Sequence, residues 1–245
     1  MSSPGITERI AHASPRFQAR LAGLIAWITT SAGFSLIVLG SLVVYDNAGA
    51  TAHNILAHEA LYRLAVVGDV IAALYIVYTL LLYNLFRPVN RSLALLGAFF
   101  SLVGTAVGML IPLFALGALV VLRDAHSLSG FTTDQVEAIA LVFLKLRAQA
   151  YAVSLVLFGT YNVLTGYLIL KSTFLPRILG ALLAIAGFGY LINTFANFVS
   201  PAFAAHLSPW ILIPGGSELL LAGWLLAVGV NEDRWSEQAR ATGER

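Results

Sequence analysis

Two acidic residues stand inside long apolar stretches of this sequence, and they are the first candidates for chemistry. Asp69 lies eight residues into the stretch 61–86, and Glu218 lies eight residues after Trp210. A charged side chain at the centre of a membrane helix costs about 2.5–3.5 kcal/mol on insertion scales, so it is kept mostly where it has partners or a role. Both carboxylates are therefore candidates for ligand binding or proton coupling.

Further polar residues are predicted at a similar depth. If each stretch is a membrane helix that rises 1.5 Å per residue, Asp69 and Glu218 lie about 12 Å below the same interface. The other candidate binding or proton-coupling residues are Arg147, Arg63, Asn193, Asn197, Tyr151, Tyr62 and His58. We expect them to form a polar pocket that opens to the outside.

The spacing of these residues places them on shared helix faces, because positions three, four and seven apart lie on one side of a helix. Three polar stripes result: His58, Tyr62 and Asp69; Arg147, Tyr151, Ser154, Phe158, Asn162 and Thr165; and Tyr190, Asn193 and Asn197. Glu59 and Arg63 pair at i,i+4 on another face. An alternative role for these polar groups is to hold the helices together.

The sequence predicts that one cluster collects most of these side chains. Its expected members are Asp69, Arg147, Glu218, Asn193 and Asn197, with Arg63 above them. If Arg147 or Arg63 pairs with one carboxylate, the negative charge of the other carboxylate is less well compensated. That second carboxylate is then the proton-coupling candidate. We favour Glu218 because it follows the Pro-Gly-Gly-Ser break at 214–217.

Histidines are the remaining candidates, in this case for metal binding. The weak candidates are His53, His58, His126 and His206. His53 and His58 are five residues apart, which is not one helix face, and no His-Glu-x-x-His motif occurs. We therefore predict no metal site and no cofactor.

Composition decides which elements must position these residues. Hydrophobic residues make up 59% of the 245 residues, charged residues make up 11%, and the mean hydropathy is +0.84. Soluble domains are about 25% charged, so the solvent for most of this chain is lipid. The net charge of +2 argues against nucleic-acid binding, and the absence of cysteine excludes disulfides and thiolate chemistry.

The predicted fold is an all-α polytopic membrane helix bundle with about six transmembrane helices. About 20 apolar residues cross a bilayer, and six stretches qualify: about 21–44, 61–86, 92–122, 147–170, 178–199 and 210–230. We divide the chain into a cytoplasmic N-terminal segment at 1–20, a single transmembrane domain at 21–230 and a cytoplasmic tail at 231–245. The run 21–44 is too long for a signal-peptide core and is predicted to be a retained helix.

The distribution of basic residues sets the orientation. With the N-terminus inside, ten of the fourteen lie in inner segments: Arg9, Arg16, Arg20, Arg87, Arg91, Lys171, Arg177, Arg234, Arg240 and Arg245. This positive-inside bias places both termini in the cytoplasm and the chain in the inner or plasma membrane.

Local signals predict two details of the helices. Thr132 with Gln135 fits an N-terminal capping box, so residues 133–146 should form a helical extension outside the hydrocarbon layer. Pro112 should kink the third helix.

The chain also resembles a known family. The stretch 174–180 (Phe-Leu-Pro-Arg-Ile-Leu-Gly), the stretch 187–198, the turn 87–91 and the pattern around Arg63 and Asp69 resemble the bacterial domain-of-unknown-function family numbered 4386, over about 20–231. The resemblance implies a membrane bundle and no particular chemistry. The start of the fourth helix reads His-Ser-Tyr-Gly-Tyr in that family but Arg-Ala-Gln-Ala-Tyr at 147–151 here, so no role of that histidine is carried over.

Three functions fit these patterns. The first is a non-enzymatic helix bundle that binds or senses a ligand, or assists another membrane protein, through the outward pocket. The second is a small proton-coupled transporter using Asp69 and Glu218. The third is an outer-facing hydrolase-type enzyme, with or without a metal. The expected partners are membrane lipids, with a small amphipathic ligand, a membrane-protein partner or a second copy of the chain as further candidates.

Overall fold

The protein is all helical where a computed structural model describes it, at residues 14–124, 130–200 and 216–243. No strand occurs among those residues. The helices are α1 (Pro15–Thr29), α2 (Ser31–Leu42), α3 (Ala48–Ala57), α4 (Glu59–Ile71), α5 (Tyr75–Phe86), α6 (Arg91–Gly108), α7 (Leu110–Arg123), α8 (Thr133–Lys171), α9 (Arg177–Val199), α10 (Gly216–Ala227) and α11 (Glu232–Ala241). A 3₁₀ turn at Ala72–Leu74 joins α4 to α5.

Among the described residues, five helical stretches are long and apolar enough to cross a membrane. They are Pro15–Leu42, Glu59–Phe86, Arg91–Arg123, Thr133–Lys171 and Arg177–Val199. The predicted sixth stretch lies partly outside the described residues, and its described part contains α10. Large apolar side chains such as Ile37 and Ile185 are 75% and 60% exposed, which suits a lipid-facing surface. The prediction of a multi-pass helical membrane protein is confirmed.

Three of these stretches contain a break between helices. The break at Met109, between α6 and α7, lies three residues before Pro112. It agrees with the kink expected there, because proline cannot donate a backbone hydrogen bond to Gly108 and its ring crowds that carbonyl. The breaks at Thr30 and at Ala72–Leu74 contain no proline and were not predicted from the sequence.

The helix α8 begins where the sequence predicts. The backbone N–H of Thr132 donates to Gln135 Oε1 at 2.9 Å, and the N–H of Gln135 reaches Thr132 Oγ1 at 3.4 Å, so the capping box is confirmed. The helix then runs without a break for 39 residues, which corresponds to about 58 Å at 1.5 Å per residue.

Two segments outside the predicted spans are partly helical. The helix α3 lies between the predicted spans 21–44 and 61–86 and is capped by Asn47, whose side chain accepts from the N–H of Ala50 at 2.9 Å. The helix α11 lies within the predicted tail, and Asn231 caps it by accepting from the N–H of Arg234 at 3.0 Å. Asparagine at these positions satisfies a backbone donor that the helix itself leaves open.

The contacts of the chain group it into two compact units, and the single transmembrane domain at 21–230 stays a prediction. The Asp69 unit comprises Ile28–Ala73 and Thr105–Ser154, and the Glu218 unit comprises Met1–Trp27, Leu74–Gly104 and Leu155–Arg245. Each has its own apolar core. The core of the Asp69 unit includes Leu39, Ile55, Ala115, Leu119 and Leu144, and that of the Glu218 unit includes Leu81, Leu85, Ile169, Leu183 and Leu225.

Candidate functional site

A buried ion pair lies within the Asp69 unit. Nη2 of Arg147 on α8 donates to Oδ2 of Asp69 on α4 at 3.1 Å. Both side chains are at most 7% exposed. A buried carboxylate needs a compensating charge or proton, and Arg147 supplies that charge directly.

A serine completes this pair. The same Nη2 of Arg147 donates to Oγ of Ser35 on α2 at 3.0 Å, and Ser35 is fully buried. The Ser35 hydroxyl also hydrogen-bonds the Asp69 carboxylate. The three side chains form a closed triangle on three helices, which we name the ion-pair centre. Ser35 is not among the residues predicted from the sequence, because a single serine in an apolar helix gives no distinctive signal.

Tyr62 and His58, the other candidates near Asp69 in sequence, differ in burial. Tyr62 is fully buried and donates its hydroxyl to the carbonyl of Ala115 on α7 at 2.7 Å. His58 shares the predicted stripe but is exposed, because it lies at the junction where α3 ends and α4 begins. Its backbone is not helical there, so the phase of the stripe is lost.

Arg63 belongs to a separate surface network. Its Nε donates to Glu59 Oε1 at 2.7 Å, as the i,i+4 spacing predicted, and Arg123 also pairs with Glu59 at 2.7 Å. Both arginine side chains are more than half exposed. Arg63 therefore interacts with Glu59 at the surface, and Arg147 is the cation that pairs with Asp69.

The Glu218 unit contains a second polar centre with different chemistry. Asn162 on α8 is 2% exposed and donates its amide to Glu218 Oε1 at 2.6 Å. Tyr190 on α9 also hydrogen-bonds this carboxyl group. Within the described residues, no arginine, lysine or histidine forms an ion pair with Glu218. We name Glu218, Asn162 and Tyr190 the amide centre.

Aromatic rings and a close helix crossing accompany the amide centre within the same unit. The ring of Tyr75 lies 4.7 Å from that of Tyr78 and 6.3 Å from that of Tyr161, measured between centroids. The helices α8 and α9 touch through glycines: a Cβ on Gly187 would lie 2.5 Å from the carbonyl oxygen of Gly159. This crossing lets the backbones that carry Asn162 and Tyr190 approach closely.

Some residues of the predicted polar stripes on α8 and α9 are buried, and others are not. On α8, Arg147, Ser154, Asn162 and Thr165 are buried, and Tyr151 and Phe158 are half-buried. On α9, Tyr190 and Asn193 are half-buried whereas Asn197 is exposed. Asn162 was in a predicted stripe but not among the named site residues, although its position on the same face as Arg147 could have identified it.

Convergence of the whole predicted cluster stays a prediction. Asp69 and Arg147 meet in one unit, and Glu218 has its contacts in the other. Neither Asn193 nor Asn197 has a hydrogen bond to Glu218 within the described part of the chain.

The histidines give no assembled metal ligand set in the described ranges 14–124, 130–200 and 216–243. No group of three His, Cys, Asp or Glu side chains there could hold an ion. His53 is exposed, and Nδ1 of exposed His58 lies 3.1 Å from the carbonyl oxygen of Asn54. His126 and His206, and Pro214 and Gly215 of the predicted break, lie outside the described residues.

Comparison with known proteins gives relatives without an assigned activity. The family model described as "Domain of unknown function (DUF4386)" matches residues 21–229. An uncharacterised protein of Archaeoglobus fulgidus is 28% identical to this chain over 148 residues, which are 60% of this chain and 72% of that protein. No solved structure matches the chain. The two polar centres are therefore the basis for any functional argument.

Proposed function

This chain belongs to the DUF4386 family of unknown function, and we propose that it is a small proton-coupled carrier of the inner or plasma membrane, with both termini in the cytoplasm. In this proposal Glu218 binds and releases the coupling proton. The observation that supports it is the set of partners of Glu218, an amide and a tyrosine rather than a cation.

The amide centre can accommodate Glu218 in either protonation state. The Nδ2–H of Asn162 can donate to a carboxylate oxygen or to the carbonyl oxygen of a protonated carboxyl group. Protonation of Glu218 therefore keeps the hydrogen bond to Asn162 and breaks no ion pair among the described residues. A proton carrier needs such a group, because both states must be reached during one transport cycle.

The ion-pair centre is poorly suited to the same task. Arg147 is only 6% exposed. Protonation of Asp69 would leave its guanidinium group without a charged partner. Uncompensated buried charges are strongly destabilising. Of the two carboxylates considered from the sequence, Asp69 is thus the structural one and Glu218 the proton-binding one.

The other two functions have less support. A ligand-binding or sensing bundle with an outward pocket stays a prediction, since no observation in the described ranges favours it over proton coupling. The same holds for a hydrolase, because no contact among the described residues joins Glu218 to a nucleophile that is paired with a base.

The proposal can be tested in inverted membrane vesicles that contain the protein. Respiration acidifies the vesicle interior, and the gradient is followed by quenching of acridine orange. Organic cations, organic acids and neutral amphiphiles are then added in turn. We expect at least one class to release protons from vesicles with the wild type, and this release to fall to the level of protein-free membranes in Glu218→Gln.

The matched control is Glu237→Gln, the same change at an exposed position on α11 of the same unit. It should behave like the wild type. The proposal fails if no solute class releases protons in the wild type, or if Glu218→Gln releases them at the wild-type rate.

A further inference from the structure

An open groove lies in the Glu218 unit, and none of the three residues of the amide centre lines it. It has a volume of about 580 Å³, within the range of small-molecule sites. The start of α1, the turn 173–176, the end of α10 and the start of α11 line it. The basic-residue distribution assigns these chain segments to the cytoplasmic ends of the spans, so the groove belongs to the membrane interface.

A glycine with a left-handed backbone shapes one wall. Gly229 has a φ of +76° and ends α10, with its N–H donating to the carbonyl of Trp224 at 3.0 Å. The side chain of Arg16 lies across it, since a Cβ on Gly229 would lie 3.0 Å from Arg16 Cγ. The Arg16 side chain therefore packs against the turn between α10 and α11.

The apolar part of the lining suits the edge of a bilayer. Phe174 and Leu175 are 4% and 6% exposed, and Trp224 is 36% exposed. Tryptophan is enriched at the level of lipid headgroups because its ring is apolar and its N–H is polar. Phe174 and Leu175 are therefore buried beneath the groove, and the exposed ring of Trp224 is the apolar surface that it offers to the upper part of an acyl chain.

The polar part of the lining carries both signs of charge. Arg16 and Arg234 provide two guanidinium groups, and Glu232 and Asp233 provide two carboxylates. Within the described residues the guanidinium of Arg16 has no hydrogen bond, and that of Arg234 makes one, from Nη1 to the carbonyl of Thr173 at 3.3 Å. Most guanidinium donors of these two arginines thus have no partner within the described part of the chain.

We propose that this groove binds the phosphoethanolamine headgroup of a membrane phospholipid. The phosphate would accept from Arg16 and Arg234, because guanidinium groups match phosphate oxygens in charge and geometry. The ammonium would donate to Asp233 and Glu232. A purely anionic headgroup has no positive group to interact with the two carboxylates of the groove. A choline headgroup has a positive charge but no N–H to donate to them.

Native mass spectrometry of the detergent-solubilised full chain tests this proposal. The probes are phosphatidylethanolamine, phosphatidylglycerol and phosphatidylcholine with identical acyl chains, offered singly and in competition. We expect phosphatidylethanolamine to be retained preferentially. Arg16→Gln should weaken its binding about tenfold, the scale of one lost charge-assisted hydrogen bond. Asp233→Asn should reduce the preference over phosphatidylglycerol.

Arg240→Gln is the matched control, since Arg240 is exposed on α11 and does not line the groove. It should bind phosphatidylethanolamine like the wild type. Equal retention of all three lipids, or an Arg16→Gln loss no larger than that of Arg240→Gln, would overturn the proposal. So would displacement of the lipid by equimolar soluble phosphoethanolamine, which would identify a free solute as the ligand.

This site is independent of the proposed transport. Glu218→Gln should retain the wild-type lipid preference even if it abolishes proton release, because Glu218 does not line the groove.

Discussion

The ion-pair centre and the amide centre stabilise a carboxyl group in apolar surroundings in different ways. Each contains a carboxyl group in a helical unit rich in apolar residues, yet Asp69 is compensated by the charge of Arg147 whereas Glu218 is held by the amide of Asn162. A charge partner fixes one protonation state, because changing it exposes the other charge to a low-dielectric interior. An amide partner tolerates both states. An intramembrane carboxylate is thus informative about function only when its partner is known.

The largest expected effect comes from breaking the ion pair. Arg147→Gln leaves Asp69 and Ser35 buried without the cation, and we expect the free energy of unfolding to fall by about 3–5 kcal/mol. Denaturant unfolding in mixed micelles, followed by circular dichroism, measures this. The double variant Asp69→Asn/Arg147→Gln should recover most of the loss. A double variant no more stable than Arg147→Gln would show that charge compensation is not what Arg147 provides.

A smaller effect is expected from the helix crossing in the Glu218 unit. Gly187→Ala places a methyl group against the backbone of Gly159, so the free energy of unfolding should fall by about 1–3 kcal/mol. Gly223→Ala on α10 is the control, since nothing lies within 4 Å of its added Cβ. If both variants unfold alike in the same assay, the close approach of α8 and α9 is not maintained by glycine.

The smallest effect should be that of Glu218→Gln on stability. The glutamine oxygen can still accept from Asn162, and no described cation loses a partner, so unfolding should change by no more than about 1 kcal/mol. Asp69→Asn, the equivalent change in the ion-pair centre, should cost several times more. Equal losses for the two variants would mean that a cation compensates Glu218, and the contrast between the centres would disappear.

Local signals in the sequence predicted local features correctly. Thr132 and Gln135 lie three residues apart, so their capping box depends on no distant contact. The break near Pro112 follows from the missing N–H of proline. By contrast, no residue in the sequence indicates the break at Ala72–Leu74. The sequence also does not indicate the junction between α3 and α4, and this junction is the reason that His58 does not share the buried face of Tyr62 and Asp69.

The sequence by itself determined that the chain is a set of membrane helices and that Asp69 and Glu218 need compensation, because hydropathy and the cost of burying charge are properties of single residues and short stretches. Only the tertiary structure decided the partners. Arg63 is six residues from Asp69 and pairs elsewhere, whereas Arg147 is 78 residues away and pairs with it. Asn162 binds Glu218 across 56 residues. Helix packing brings these faces together, and periodicity alone shows which residues share a face but not which face another helix covers.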